Sequence, residues 1–129
     1  MTNIGVTGHR FLFGHNLITF QIDNALRKIQ EKFKEPFSIY SSLAEGADRL
    51  VVQCAFEIIE AKLIVPLPLK KEEYLIDFST NSKLEFLDLL AHAEKVIELP
   101  GRPTRVAAYE AAGVYILDHV DALITLWDG

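Results

Sequence analysis

The sequence predicts an α/β fold, a Rossmann-like doubly wound parallel sheet of five strands in the order 3-2-1-4-5 with flanking helices. Three observations carry this. Short apolar runs alternate five times with stretches of helical periodicity. The runs are apolar on both faces, as strands covered from both sides are. The chain has 129 residues, 50% of them hydrophobic and 24% charged, which describes one globular domain over 1–129. Right-handed crossovers then wind the sheet in both directions.

Asn3–Thr7 (NIGVT) is the first strand, stopped at Gly8, a residue free to take positive φ. From Leu17 to Phe33 the apolar residues Ile18, Ile22, Ala25, Leu26, Ile29 and Phe33 recur at helical spacing, and Pro36 closes the segment. Phe37–Ser41 is the second strand, followed by a helix from Ala47 to Ala61 with Leu50, Val51, Cys54, Ala55 and Ile58 on one face. Lys62–Leu67 (KLIVPL) is the third strand, broken by Pro66 and Pro68. The segment Lys70–Phe78 reads either as a short helix or as a flap. Ser82-Lys-Leu-Glu85 has the form of a capping box at the start of the next helix. Lys95–Leu99 is the fourth strand, stopped by Pro100-Gly101. Thr104 is the N-cap of a helix through Asp118, and Ala122–Trp127 (ALITLW) is the fifth strand.

The lone cysteine, Cys54, cannot form an internal disulfide, which points to a reducing, cytoplasmic setting. Met1 leads directly into a strand pattern, without the basic and apolar regions of a signal peptide, and no apolar run reaches membrane-spanning length. A net charge of −5 disfavours direct nucleic-acid binding. His15, His92 and His119 lack metal-ligand spacing, so no metal and no cofactor is expected. Ser41 and Ser42 have no base partner in the sequence, and the catalytic residues, if there are any, are unknown at this level.

In open sheets of this type ligands bind beyond the carboxyl ends of the strands, where strand order reverses. With the order 3-2-1-4-5 that crevice lies between the first and fourth strands, faced by Thr7–Phe13 and Pro100–Arg105, with Ser42–Asp48 beside them. Of five arginines, Arg10, Arg49, Arg102 and Arg105 lie in these loops or the helix turns they open, and arginine suits bidentate contact with phosphate. Arg49 and Arg105 sit in first helical turns, where the dipole disfavours a cation unless an anion binds. The alternative is that Arg49 pairs with Glu45 or Asp48, and Arg105 with a neighbouring carboxylate. Gly5, Gly8, Gly46 and Gly101 lie at strand ends or helix starts, where they either admit a ligand to the backbone or simply turn the chain. His9 stands ready for phosphate or ribose, or caps its own loop. Glu45 and Asp48 can orient a ribose or act as a base, or merely complement a helix dipole. Tyr74 and Tyr109 can stack on a base or pack. Neither GxGxxG nor a P-loop is present.

Ile4-Gly-Val-Thr-Gly-His-Arg10, Leu43-Ala-Glu-Gly-Ala-Asp48, Ile64-Val-Pro-Leu-Pro68 and Tyr109-Glu-Ala-Ala-Gly-Val114, running on to Asp121–Gly129 (DALITLWDG), resemble the SLOG superfamily. These are Rossmann-like domains related to DprA and to the lonely-guy phosphoribohydrolases. The resemblance, which runs from end to end, implies binding or sensing of a nucleotide-derived ligand. Carried over by position, it implies that Gly8, His9, Arg10, Glu45, Gly46, Ala47 and Asp48 line the site, with Tyr109 and Asp128 close by.

The hydrolase members carry a P-G-G-x-G-T-x-x-E motif, which Pro100-Gly101-Arg102-Pro103-Thr104 matches only in part. Relatives also continue past W-D-G into a glycine-rich loop and a helix. The expectation is therefore a shortened design that binds a nucleotide-like small molecule. Its alternatives are a hydrolase of an N-glycosidic bond, with Glu45 or Asp48 stabilising positive charge on the ribose, and a ligand-free interaction scaffold. A sheet left partly bare further predicts a two-fold homodimer.

Overall fold

A computed structural model describes residues 1–8 and 15–126. Five strands, β1 (Thr2–Gly8), β2 (Phe37–Tyr40), β3 (Ala61–Leu67), β4 (Ala93–Glu98) and β5 (Ala122–Leu126), form one sheet in which every pair is parallel. The helices are α1 (His15–Lys32), α2 (Ala47–Ile58), the short α3 (Lys71–Leu75), α4 (Thr80–Ala91) and α5 (Arg105–His119). The doubly wound parallel sheet is as the sequence predicts.

The strand order is not. It runs β4-β3-β2-β1-β5, so β4 lies on the outer edge beside β3, and β5 alone crosses back to pair with β1. The physical reason is legible in burial. In β3, Leu63, Val65, Pro66 and Leu67 are all buried, which needs a neighbour on each side. In β4, Glu94, Lys95 and Glu98 stay exposed, as suits an edge strand. The reversal of strand order therefore falls between β1 and β5, and the crevice predicted between the first and fourth strands does not exist.

Side chains of a strand alternate between faces. Ile4 and Val6 of β1 face the main core, where Ile39, Leu63, Val65 and Ile124 meet Ile22 and Leu26 of α1, Val51 and Ala55 of α2, and Phe86 of α4. Gly5 faces the other way. A Cβ added there would lie 2.8 Å from Ile116 Cγ2 and 3.0 Å from Val120 Cγ1. Gly5 thus lets α5 lie close on the second face and needs no ligand to explain it. The small residues Ala108 and Ala112 are on the buried side of that helix. No helix among the described residues is long and apolar enough to cross a membrane.

Local signals are mixed. Thr104 caps α5 as expected, its Oγ1 accepting from Ala107 N at 3.1 Å. The predicted capping box is displaced: Ser79 caps α4, accepting from Ser82 N at 3.4 Å, because Ser82 and Glu85 are taken up by Arg49. Lys70–Phe78 resolves as α3 and the turn after it, anchored by the buried rings of Tyr74 and Phe78.

Candidate functional site

A crevice of about 660 Å³ opens beyond the carboxyl ends of β1, β2 and β3, between the start of α2, the α3 segment and α5. Its size is that of a small-molecule site. Glu45 and Asp48 line it from the start of α2, Asp77 and Phe78 from the α3 segment, and Arg105, Tyr109 and Leu117 from α5.

The loop from Ser41 to Gly46, which presents the α2 carboxylates, is held in a conformation that few residues adopt. Leu43 sits at φ 56° although it is a bulky, fully buried residue, and such strain of about 1–3 kcal/mol persists only where surroundings enforce it. Here they do. Ser41 Oγ accepts from Leu43 N at 3.0 Å, Ser42 Oγ donates to the Pro66 carbonyl at 2.7 Å, and Tyr74 Oη donates to the Ser42 carbonyl at 3.0 Å. Both serine hydroxyls are thereby engaged with main chain. Gly46 then starts α2 at φ 90° and ψ −123°, a region open only to glycine. The glycine expected to admit a ligand is required by the backbone itself.

Asp48 is strongly perturbed. Burial pushes its carboxyl up to about 7, against the opposing pull of a hydrogen bond from the Ala44 backbone and of the Arg49 charge. It keeps a partly exposed edge on the crevice, so it changes charge near neutral pH where a ligand can meet it.

The arginines divide. Arg49 is 3% exposed and does not line the crevice. Its Nε donates to the Leu43 carbonyl at 2.8 Å, Nη1 reaches Ser82 and Glu85, and the guanidinium lies 4.6 Å from the centre of the Phe78 ring. It pairs with Glu85, not with Glu45 or Asp48, and its role is structural. Arg102 is exposed and does not line the crevice, because β4 lies at the far edge of the sheet. Arg105 does reach the crevice, because α5 returns across the sheet from β4 towards β5. Its Nη1 donates to Asp77 Oδ2 at 3.1 Å and its Nη2 to the Glu73 carbonyl at 3.3 Å. Tyr109 Oη also donates to Asp77 Oδ2.

Among the other predicted site residues, Gly8 closes β1 opposite Leu126 of β5. Ala47 is buried at the start of α2 and does not face the crevice. His9, Arg10 and Asp128 lie outside the described residues. Tyr74 is 2% exposed, packs edge-on against Phe78 and Phe86, and forms part of the crevice floor. Asp77 and Phe78 were not singled out from the sequence; the spacing of Tyr74 and Phe78, one helical turn apart, was the available signal. Among the described residues no group of histidines, cysteines or carboxylates is placed to hold a metal. Burial pushes the Cys54 thiol up to about 11, which leaves it unreactive. Compared with family models and with curated proteins, the chain matches none.

Proposed function

We propose that the chain is a SLOG-type domain that binds or senses a nucleotide-like small molecule in the crevice between α2, the α3 segment and α5. The observation that carries this is the strained, over-determined Ser41–Gly46 loop, which delivers Glu45 and Asp48 into a ligand-sized crevice at the carboxyl ends of parallel strands. Tyr109, 38% exposed on the crevice wall, offers a base an aromatic face. A thermal-shift screen of nucleotides tests the reading: a ligand at 100 times its Kd adds about 2.7 kcal/mol of stability. No shift with any member of the panel would leave an interaction scaffold in its place.

One observation favours a second reading, hydrolysis of an N-glycosidic bond. A carboxyl that titrates near neutrality at a ligand crevice suits general acid–base work, and free base released from a nucleotide, followed by chromatography, would report it. The reading also takes the chain as cytoplasmic and as a two-fold homodimer. The apolar outer stripe of α5, with Val106, Val114 and Leu117 more than half exposed, supports the dimer.

A further inference from the structure

Gly113 stands in the middle of α5, where a glycine lowers the folding equilibrium roughly two- to fivefold relative to alanine. Two other glycines near the crevice have a local reason for their presence. Gly5 makes room for α5, and Gly46 holds a φ of 90°. Gly113 has neither reason. Its backbone is helical, and a Cβ placed on it would meet no described atom within 4 Å. An alanine would fit the fold and strengthen the helix.

What Gly113 does border is the crevice. Tyr109 lies one helical turn before it and Leu117 one turn after, and residues four apart share a helix face. Both line the crevice, and they are 38% and 57% exposed. The missing side chain therefore leaves a notch between them, its flanking residues about 12 Å apart along the helix axis. Ala112 and Ile116 of α5 and Leu123 of β5 line the crevice around it, so the walls of the notch are apolar. With main chain at its floor and no side chain in its centre, the notch fits a flat ring that approaches the helix backbone closely.

Resting on the nucleotide reading above, we propose that the notch at Gly113 seats the base of the ligand, between Tyr109 and Leu117. Gly113 is a specificity-determining residue of the crevice, and the helix gives up stability there to keep the space open. The fit is one of shape and apolar contact.

The test is equilibrium binding of the four ribonucleoside 5′-monophosphates to the wild-type chain, Gly113→Ala, Gly113→Leu and Val114→Ala, with thermal melts and sedimentation run beside it. For whichever nucleotide binds, Gly113→Ala should weaken it at least about threefold and Gly113→Leu at least about tenfold, as overfilling of a packed space does. Gly113→Ala should melt at or above the wild-type temperature, so that binding is lost without loss of fold. Val114→Ala changes the next residue, which does not line the crevice, and should leave affinity unchanged. Unaltered affinity in both Gly113 variants would overturn the inference and leave nucleotide binding intact. An equal loss in Val114→Ala, a loss confined to variants whose assembly changes, or a lower melting temperature for Gly113→Ala would overturn it as well. If the wild-type chain binds none of the four, the nucleotide reading itself falls, and the base subsite with it.

Discussion

Arg49 donates from Nε to the carbonyl of Leu43 at 2.8 Å, a buried bond between a helix residue and a residue held at φ 56°. One guanidinium thereby does three things. It fixes the strained loop, it reaches α4 through Ser82 and Glu85, and it fills the space over the Phe78 ring. The loop in turn sets the direction in which Glu45 and Asp48 leave the sheet.

Arg49→Ala is accordingly expected to cost stability, by about 2–4 kcal/mol, through lost charge-assisted bonds and the cavity left beneath Phe78. Arg49→Lys should recover little, since an ammonium cannot reproduce the planar fork. Urea denaturation measures both, and a loss below about 1 kcal/mol for Arg49→Ala would contradict the structural role.

Asp48 should show its placement through pH. Its carboxyl titrates at about 7 in the folded protein, chiefly because of burial, and at the ordinary value of 3.8 when exposed. Between these values the folded state holds the extra proton, so stability falls as pH rises from about 4 to about 7 and stays reduced above that. Below pH 4 both states are protonated and the contribution vanishes. Asp48→Asn, which cannot ionise, should therefore be more stable than wild type at pH 8 by on the order of 2–4 kcal/mol, with the gain gone at pH 4. Thermal melts at the two pH values decide it, and equal melting at pH 8 would refute it. A substitution that stabilises the fold and weakens binding is what a functional carboxylate should give.

Much of this was legible in the chain. Strand positions followed from apolar runs such as NIGVT and ALITL, the N-cap of α5 from Thr104, and the carboxylates of the crevice from Glu45 and Asp48 beside Gly46. What was not legible depended on contacts distant in sequence. Strand order turned on whether β3 or β4 took the edge. The exposed charges of Glu94, Lys95 and Glu98 mark β4 as the edge, a signal that the usual topology does not use. Arg49 looked like a phosphate ligand because its partners Ser82 and Glu85 lie more than 30 residues away. Those same two residues imitated a capping box. Asp77 entered the site only because the α3 segment folds back to meet Arg105 and Tyr109.

Gly5 tests the packing of α5 separately from the crevice. With a Cβ placed 2.8 Å from Ile116 Cγ2, Gly5→Ala should destabilise by about 1–3 kcal/mol through overpacking. Adding Ile116→Leu, which lacks the Cγ2 methyl that the new Cβ would meet, should return part of that loss, a coupling that a double-mutant cycle reads directly. Strict additivity of the two substitutions would exclude the contact.

The last expectation concerns the outer surface of α5. A helix on the outside of a domain ordinarily turns a polar face to solvent, yet Val106, Val114 and Leu117 are 66%, 56% and 57% exposed, Leu117 at the border between this surface and the crevice. A second copy of the same helix is a suitable cover, because the stripe is self-complementary when two copies of α5 run antiparallel. The register that sets Val106 against Leu117 of the second copy also sets Glu110 opposite Gly113, where no side chain opposes it. Such a pair is closed by a two-fold axis, the commonest symmetry of soluble oligomers. Sedimentation at micromolar concentration should therefore show a dimer of the 14.5 kDa chain. Val114→Lys should convert it to monomer without lowering its stability at high dilution, since the side chain lies outside both the core of one copy and the crevice. A wild-type chain that sediments as monomer, or a Val114→Lys variant that remains dimeric, would rule out this face as the interface.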